Sequence, residues 1–397
     1  MFDAGALLLD PMLDRVDLRW GGVRVSKNIV VLSDGTGQEG GEGHNTNIYR
    51  MFDMVEDRTQ RQVVYYDAGV GTGWRKVTGN AFGRGFSRNI RQAYQFIFEQ
   101  FEVGDRIYLI GFSRGAATVR SLSGFIFHFG ILPRSRPKLI KQAFRIYRKR
   151  KKRDFGMRVD DFVRANGTMY TNIEFLGCYD TVAALGFPIK SVASLIDQIP
   201  GFGWKFHDLD LSANVNNAYQ ALAVDDERRT FHPKLWNYPP PNPQTQFLKQ
   251  VWFVGMHTDV GGGYRSGQTL SSIPLVWLTE QAAKCGVYVR ADLEPIYEDA
   301  AGVMHDSRWK PTAKLYIKKV RSWDPQRSDQ PIVHQSVLDR RAHGHSPVER
   351  KPNDTVDVAY DPWILEDHPP GKYDVEPWKK VDEQDWYHAV GSPEAIE

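Results

Sequence analysis

Cysteine is nearly missing: the 397 residues hold two, Cys178 and Cys285. Two thiols cannot supply a disulfide framework for a chain this long, which reads as one made and folded in a reducing, cytoplasmic compartment. An excess of either charge sign is lacking as well. The formal net charge is +3, from 51 basic and 48 acidic residues, too little to argue for a nucleic-acid partner. No apolar run reaches the length that spans a bilayer. The brief run Ala4 to Leu9 is flanked by Asp3 and Asp10 with no basic start, which argues against a signal peptide. Internal repeats are lacking too. The remainder is the composition of a globular protein, somewhat rich in aromatics and long enough to bury one large core or two modest ones.

The most informative stretch is Arg106-Ile-Tyr-Leu-Ile-Gly-Phe-Ser113-Arg-Gly-Ala-Ala-Thr-Val-Arg120. Ile107, Leu109 and Ile110 predict a buried strand. Ala116, Ala117, Val119, Leu122, Phe125 and Ile126 then predict a helix. Between them, Gly111 to Gly115 fits G-x-S-x-G, a turn that lifts a serine hydroxyl clear of a sheet. The flanking glycines leave room where a Cβ would collide with a neighbour. The amide of Arg114, at the helix start, would face a developing oxyanion with the helix dipole behind it. An ordinary strand-to-helix turn is the plain alternative.

Taken in order, the chain alternates strands and helices. Val23 to Leu32 reads as a strand ending in Ser33-Asp34-Gly35-Thr36-Gly37, and Gln62 to Tyr66 as a second, followed by the glycine-rich Asp67 to Gly73. Asn80 to Phe101 has helical spacing, Ile173 to Tyr179 is a strand, and Phe247 to Val254 another; Leu211 to Val224 and Leu275 to Cys285 read as helices. This predicts an α/β fold, α/β-hydrolase-like, with a mostly parallel central sheet flanked by helices and helical cap insertions. The catalytic domain is expected over 23–300, with cap segments at 133–172 and 187–222. A C-terminal extension over 301–397 is expected to be partly packed on it. Residues 134–153 are crowded with Lys and Arg, either a solvated helix face or a surface for anionic lipid or another acidic partner.

Three successive strands end at Ser113, Asp180 and His257. That order is the one in which α/β-hydrolases supply nucleophile, acid and base. His257 would take the Ser113 proton, Asp180 would orient and stabilise the imidazole, and Arg114 with Gly35 or Thr36 would hold the oxyanion. Asp180 alone could be a helix cap. Asp225, Asp226 and Asp259 compete for the acid's role, and His207 and His232 for the base's, although neither histidine closes an apolar strand.

Six motifs in one order, Leu32 to Gly37, Tyr66 to Thr72, Gly111 to Ala116, Tyr179 to Val182, Ala221 to Arg229 and Trp252 to Tyr264, carry a resemblance. The chain from about Lys27 to about Leu338 resembles an α/β-hydrolase family of formerly unknown function that includes type VI secretion phospholipase effectors. The resemblance implies a serine esterase whose triad falls on Ser113, Asp180 and His257, and cleavage of phospholipid acyl esters. It also implies export by type VI secretion, with a secretion spike and an immunity protein as partners. No cofactor or metal is expected. Gln220 stands where many relatives carry histidine, and the large extra domains of some toxic relatives are not obvious here.

Other readings remain in play. A general esterase on a non-lipid acyl substrate would use the same three residues. A metal-dependent phosphohydrolase is suggested by Asp34-Gly-Thr36, similar to a phosphatase signature, with Asp180, His257 and Asp259 as ligands, although Leu32 stands where that signature's nucleophilic aspartate belongs. A non-catalytic binding module on the same fold is the third. Dinucleotide binding is disfavoured, since Gly69, Gly71 and Gly73 have the wrong spacing.

Overall fold

The computed structural model describes residues 17–19, 22–24, 26–35, 44–69, 79–182, 209–308, 317–324, 326–368 and 370–378, with side chains at all of these except 17–24 and 79–84. Among them an eight-stranded sheet forms the centre of the molecule. In spatial order its strands are β4 (Gln62–Asp67), β3 (Asn28–Ser33), β5 (Arg106–Phe112), β6 (Ile173–Tyr179), β7 (Val215–Ala223), β8 (Phe247–Phe253), β10 (Ile332–His334) and β13 (Asp374–Glu376). Every neighbouring pair is parallel. The expected fold class is therefore present. The chain runs outward from β3 to β4, then crosses back to β5 on the other side. This reversal opens a crevice between the carboxyl ends of β3 and β5, where open α/β sheets bind ligands.

The strands are apolar on both faces because helices cover both. Ile29 and Val31 of β3, with Ile107 and Leu109 of β5, enter one core with the helices α2 (Gly79–Gln100) and α3 (Arg114–Phe129). Val30 and Leu32, with Tyr108 and Ile110, enter the other, against α1 (Asn47–Met54) and the helix Gln268–Lys284. Helix α2 follows the expected stripe, with Ile90, Ala93, Tyr94 and Ile97 fully buried. The helix expected from Leu275 starts earlier, at Gln268, and carries Pro274 inside its second turn.

Two expectations fail here. Val23 to Leu32 is not one strand: β1 (Asp17–Arg19) and β2 (Gly22–Arg24) form a hairpin, and the sheet strand begins at Asn28. Leu211 to Val224, expected as helix and partly as cap, instead contributes β7, a central strand of the sheet. Its Val215, Ala218, Tyr219 and Leu222 fall at helical spacing by coincidence. With a buried neighbour on each side, β7 is selected by its ladder partners rather than by that spacing. The remainder of the 187–222 cap, up to residue 208, lies outside the described residues.

The 133–172 insertion is helical, comprising α4 (Lys138–Tyr147) and α5 (Phe155–Asn166). It leaves and rejoins the fold through a bridge between Ile131 and Met169. That root lies at the end of α3 away from Ser113, about 24 Å along the 16-residue helix. Leu139, Ile140, Ala143, Phe144 and Tyr147 bury one face of α4, leaving Lys141, Arg145, Arg148 and Lys149 exposed on the other.

Beyond residue 300 the described chain is part of the body. It supplies the last two sheet strands and a second, three-stranded sheet of β9 (Met304–His305), β11 (His345–Lys351) and β12 (Asp354–Ala359). Trp363 is buried and donates its indole N–H to the Val224 carbonyl at 2.9 Å, behind the end of β7.

Candidate active site

Ser113 follows β5 directly and opens α3. Its backbone is held at φ 56°, ψ −115°, outside the regions that L-residues favour. The local packing requires this. A Cβ on Gly115 would sit 1.9 Å from the Ser33 carbonyl oxygen, and one on Gly111 would sit 2.5 Å from the Gly115 carbonyl oxygen. Only glycine at both positions lets α3 press against β3 and β5 closely enough to throw the serine outward.

Asp180 follows β6, also at positive φ (38°), and is fully buried. His257 begins the short helix His257–Gly261 that follows β8. The three side chains meet. The Ser113 hydroxyl lies 2.9 Å from His257 Nε2, and His257 Nδ1 lies 2.6 Å from Asp180 Oδ2. An ionised carboxylate only accepts, so Nδ1 carries the ring proton and Nε2 is left to accept from the serine. Phe112 and Phe231 lie against the imidazole, with ring centroids 4.8 and 5.1 Å away.

The electrostatics follow from burial and charge. Burial would raise the Asp180 pKa, but Arg321 and His257 outweigh it and hold the carboxyl well below the usual range. Arg321 Nη1 donates to Asp180 Oδ1 at 2.7 Å and Nη2 to Oδ2 at 2.8 Å, while the Ala223 amide donates to Oδ1 at 3.1 Å. Burial pushes the His257 pKa below its ordinary value, against the upward pull of Asp180. A buried histidine kept neutral is suited to serve as a base.

The competing acids are engaged elsewhere. Asp225 accepts from the Gly255 amide (2.6 Å) and the Tyr360 hydroxyl (3.1 Å). Asp226 pairs with Arg228 and accepts from the His257 backbone amide at 3.2 Å. Asp259 binds His305 at 2.6 Å. His232 contacts the Lys319 carbonyl, and His207 lies outside the described residues. Asp34, Asp180 and Asp259, the carboxylates of the phosphohydrolase alternative, thus sit in separate networks.

The expected oxyanion donors divide three ways. Arg114 is the first residue of α3, directly after Ser113. Gly35 lies against the serine, since a Cβ on it would be 3.7 Å from the Ser113 Cβ. Its amide, however, donates to Asp34 Oδ1 at 2.6 Å and is not simply available. Asp34 itself is pushed up to about 6 by burial, against hydrogen bonds from Thr46, Gly35 and Tyr66. Thr36 lies outside the described residues.

Sequence reasoning missed Arg321 and His305, both from beyond residue 300. It also left the role of position 220 open. Gln220, fully buried on β7, accepts from the Thr181 hydroxyl at 2.6 Å and from Arg120 at 3.1 Å. It braces the turn that carries Asp180. His334 is a structural residue: it stacks on Phe253 at 4.5 Å and accepts from the Ser336 amide, capping the helix Gln335–His343.

A parallel sheet with a strained serine at its switch point, joined to histidine and aspartate from later strand ends, defines an α/β-hydrolase-like protein. The chain belongs to the family described as the catalytic domain of Tle1-like type VI secretion phospholipase effectors, whose model matches residues 27–281. It is 28% identical over 318 residues to the uncharacterized protein YEL023C of Saccharomyces cerevisiae, covering 73% of this chain and 44% of that one. The chain thus spans less than half the length of this relative. Among solved structures it is similar to an uncharacterized protein from Pseudomonas aeruginosa, at TM-score 0.41 and 15% identity over 67% of this chain and 46% of the other. A Tle1 effector bound to the VgrG spike of a type VI secretion system gives TM-score 0.35 and 19% identity, over 66% and 57% of the two chains. Among the described residues, no helix is long and apolar enough to cross a membrane.

Proposed function

We propose that this protein is a serine hydrolase of carboxylic esters, acting on phospholipid acyl chains. The observation that carries the reading is the continuous hydrogen-bonded path from Ser113 through His257 to Asp180, at the switch point of the sheet. Ser113 Oγ attacks the ester carbonyl as its proton passes to His257 Nε2. The tetrahedral oxyanion is held by the Arg114 amide, with Gly35 as a second donor once its amide turns from Asp34 Oδ1. Collapse breaks the ester C–O bond, and His257 returns the proton to the departing lysolipid alcohol. Water, deprotonated by His257, then releases the fatty acid and restores the serine. Asp180 keeps the imidazole in the tautomer that makes this transfer work.

The phospholipid assignment rests on family membership. The same membership supports export through type VI secretion, with a spike and an immunity protein as partners. The exposed cations of 134–153 supply a surface for anionic headgroups. Labelling by a fluorophosphonate, mapped by peptide mass spectrometry, tests the nucleophile. Product analysis on mixed bacterial lipids, with Ser113→Ala as control, tests the substrate. We expect Ser113 alone to be modified, and lysolipid and free fatty acid to appear only with the intact serine. A folded protein that stays unlabelled overturns the hydrolase reading; labelling without lipid turnover moves the substrate to a non-lipid acyl ester.

A further inference from the structure

The acid of the candidate triad is not left to the histidine alone. Arg321, 2% exposed, donates to both oxygens of Asp180, and its two terminal nitrogens also reach the Ala223 carbonyl (2.5 Å) and the Phe231 carbonyl (2.7 Å). One guanidinium therefore ties together the end of β6, the end of β7 and the loop whose Phe231 ring lies against His257. The residue comes from beyond residue 281, where the family match ends.

We propose that Arg321 is a positioning residue of the hydrolytic site: its planar fork fixes the Asp180 carboxylate and, through it, the His257 imidazole, while its charge offsets that carboxylate's. The inference rests on the proposed function and concerns how that site is set.

Two effects follow from different properties of the same side chain. The fork is geometric. With both Asp180 oxygens held by parallel N–H donors, the carboxylate cannot rotate, and Oδ2 stays on line with Nδ1. Lysine would keep the charge at this position but present no such fork. The charge effect is electrostatic. An ionised aspartate with no counter-charge favours an imidazolium beside it, whereas a paired one favours it less. The ionisable groups facing His257 are Asp180 on its Nδ1 side, Asp226 at its backbone amide and Arg228 paired to Asp226. Asp259 on its own turn is bound to His305, and the His232 and Lys319 pair lies further out. Removing Arg321 leaves Asp180 as an uncompensated anion against the ring. His257 then holds a proton to higher pH and becomes available as a base later in a pH titration.

The test needs no knowledge of the natural substrate. The rate at which a fluorophosphonate modifies Ser113, measured against pH on full-length protein and normalised to the fraction that can be labelled, reads both properties. Phosphorus–oxygen bond formation expels fluoride, and the serine proton goes to His257, so the acid limb of the profile follows the free imidazole. Arg321→Met should move that limb upward by about one pH unit. Arg321→Lys should leave the limb in place and lower the plateau rate roughly tenfold or more. In an Asp180→Asn background, Arg321→Lys should lose most of its effect, since its target is gone.

A purely packing role would lower folding yield or melting temperature in both variants and leave the normalised profile unmoved. Folded Arg321→Lys with the wild-type plateau overturns the proposal. So does an equal loss with and without Asp180. Should Arg321→Met not fold, the lysine variant and its Asp180→Asn partner still decide. Failure of the underlying site reading looks different: the wild-type protein would not be labelled at Ser113 at all.

Discussion

Among the described residues are two Ser–His–Asp chains with nearly the same distances. In one, His257 lies 2.6 Å from Asp180 and 2.9 Å from Ser113. In the other, His305 lies 2.6 Å from Asp259 and 3.1 Å from Ser266. The difference is in what surrounds each serine. Ser113 has strained backbone, two glycines that let the helix close in behind it, and a helix N-terminus beside it. Ser266 is not among the residues at positive φ, and the Glu349 carboxylate accepts its proton at 2.5 Å, nearer than the histidine. Tyr264 stacks on His305 at a centroid distance of 3.7 Å. A carboxylate beside a forming oxyanion repels it. Three side chains at hydrogen-bond distance do not by themselves make a catalyst.

The second chain has another consequence. Asp259 sits on the turn that carries His257, accepts the Met256 amide and is held by His305 from the three-stranded sheet. It anchors the turn of His257 to the C-terminal part of the fold, as Arg321 anchors Asp180.

The comparison is broken most sharply at the serines. Ser113→Ala should abolish fluorophosphonate labelling and lower ester turnover by roughly a thousandfold or more. Ser266→Ala should stay within about threefold of wild type, at a stability cost of about 1 kcal/mol for its lost hydrogen bonds. Residual labelling of Ser266 in the Ser113→Ala protein would mean that the second chain is also a competent site.

The histidines give the next largest contrast. His257→Gln should reduce the labelling rate by about a thousandfold while leaving the fold intact. His305→Gln should do the reverse: a loss of roughly 1–3 kcal/mol in stability from the buried Asp259 left short of a partner, with the rate per labelled site within about tenfold. Urea unfolding and active-site-normalised kinetics on the same preparations separate the two. Equal loss of chemistry in a folded His305→Gln protein would make the anchor part of the reaction.

The proposed triad was legible because each of its members follows an apolar strand, and strand ends in a parallel sheet share one rim. Helix α2 was legible from its stripe. The strand β7 was not. Asn216, Asn217 and Gln220 interrupt the apolar pattern, and their amides are satisfied only by tertiary partners such as Glu174, Thr181 and Arg120. Arg321 was illegible for a related reason. It sits in a stretch with no periodicity, and its meaning comes entirely from a carboxylate 141 positions away. Gly35 was legible as a neighbour of the serine, but not that its amide would be turned onto Asp34.

The smallest effect concerns Asp225 and Asp226, which adjoin one another near the turn that carries His257. Asp226 is held below its ordinary pKa: burial opposes this, but Arg228 prevails. Asp225, buried without a cation in direct contact, is pushed up to about 7. The signs of their contributions are therefore opposite. A carboxyl whose folded pKa exceeds its unfolded value, about 4, contributes stability that is complete below pH 4 and is lost as pH rises to about 7. A depressed one contributes stability present above pH 4 and lost below it. Asp225→Asn removes the first dependence and keeps an acceptor for Gly255 and Tyr360. The melting temperature of the variant relative to wild type should therefore climb between about pH 4 and pH 7 and level off above. Asp34, raised to about 6, acts in the same direction in both proteins and cancels in the difference. A difference that stays flat across that range would mean that Asp225 is ionised in the folded protein, with Arg340 nearby supplying the compensation that direct contacts do not.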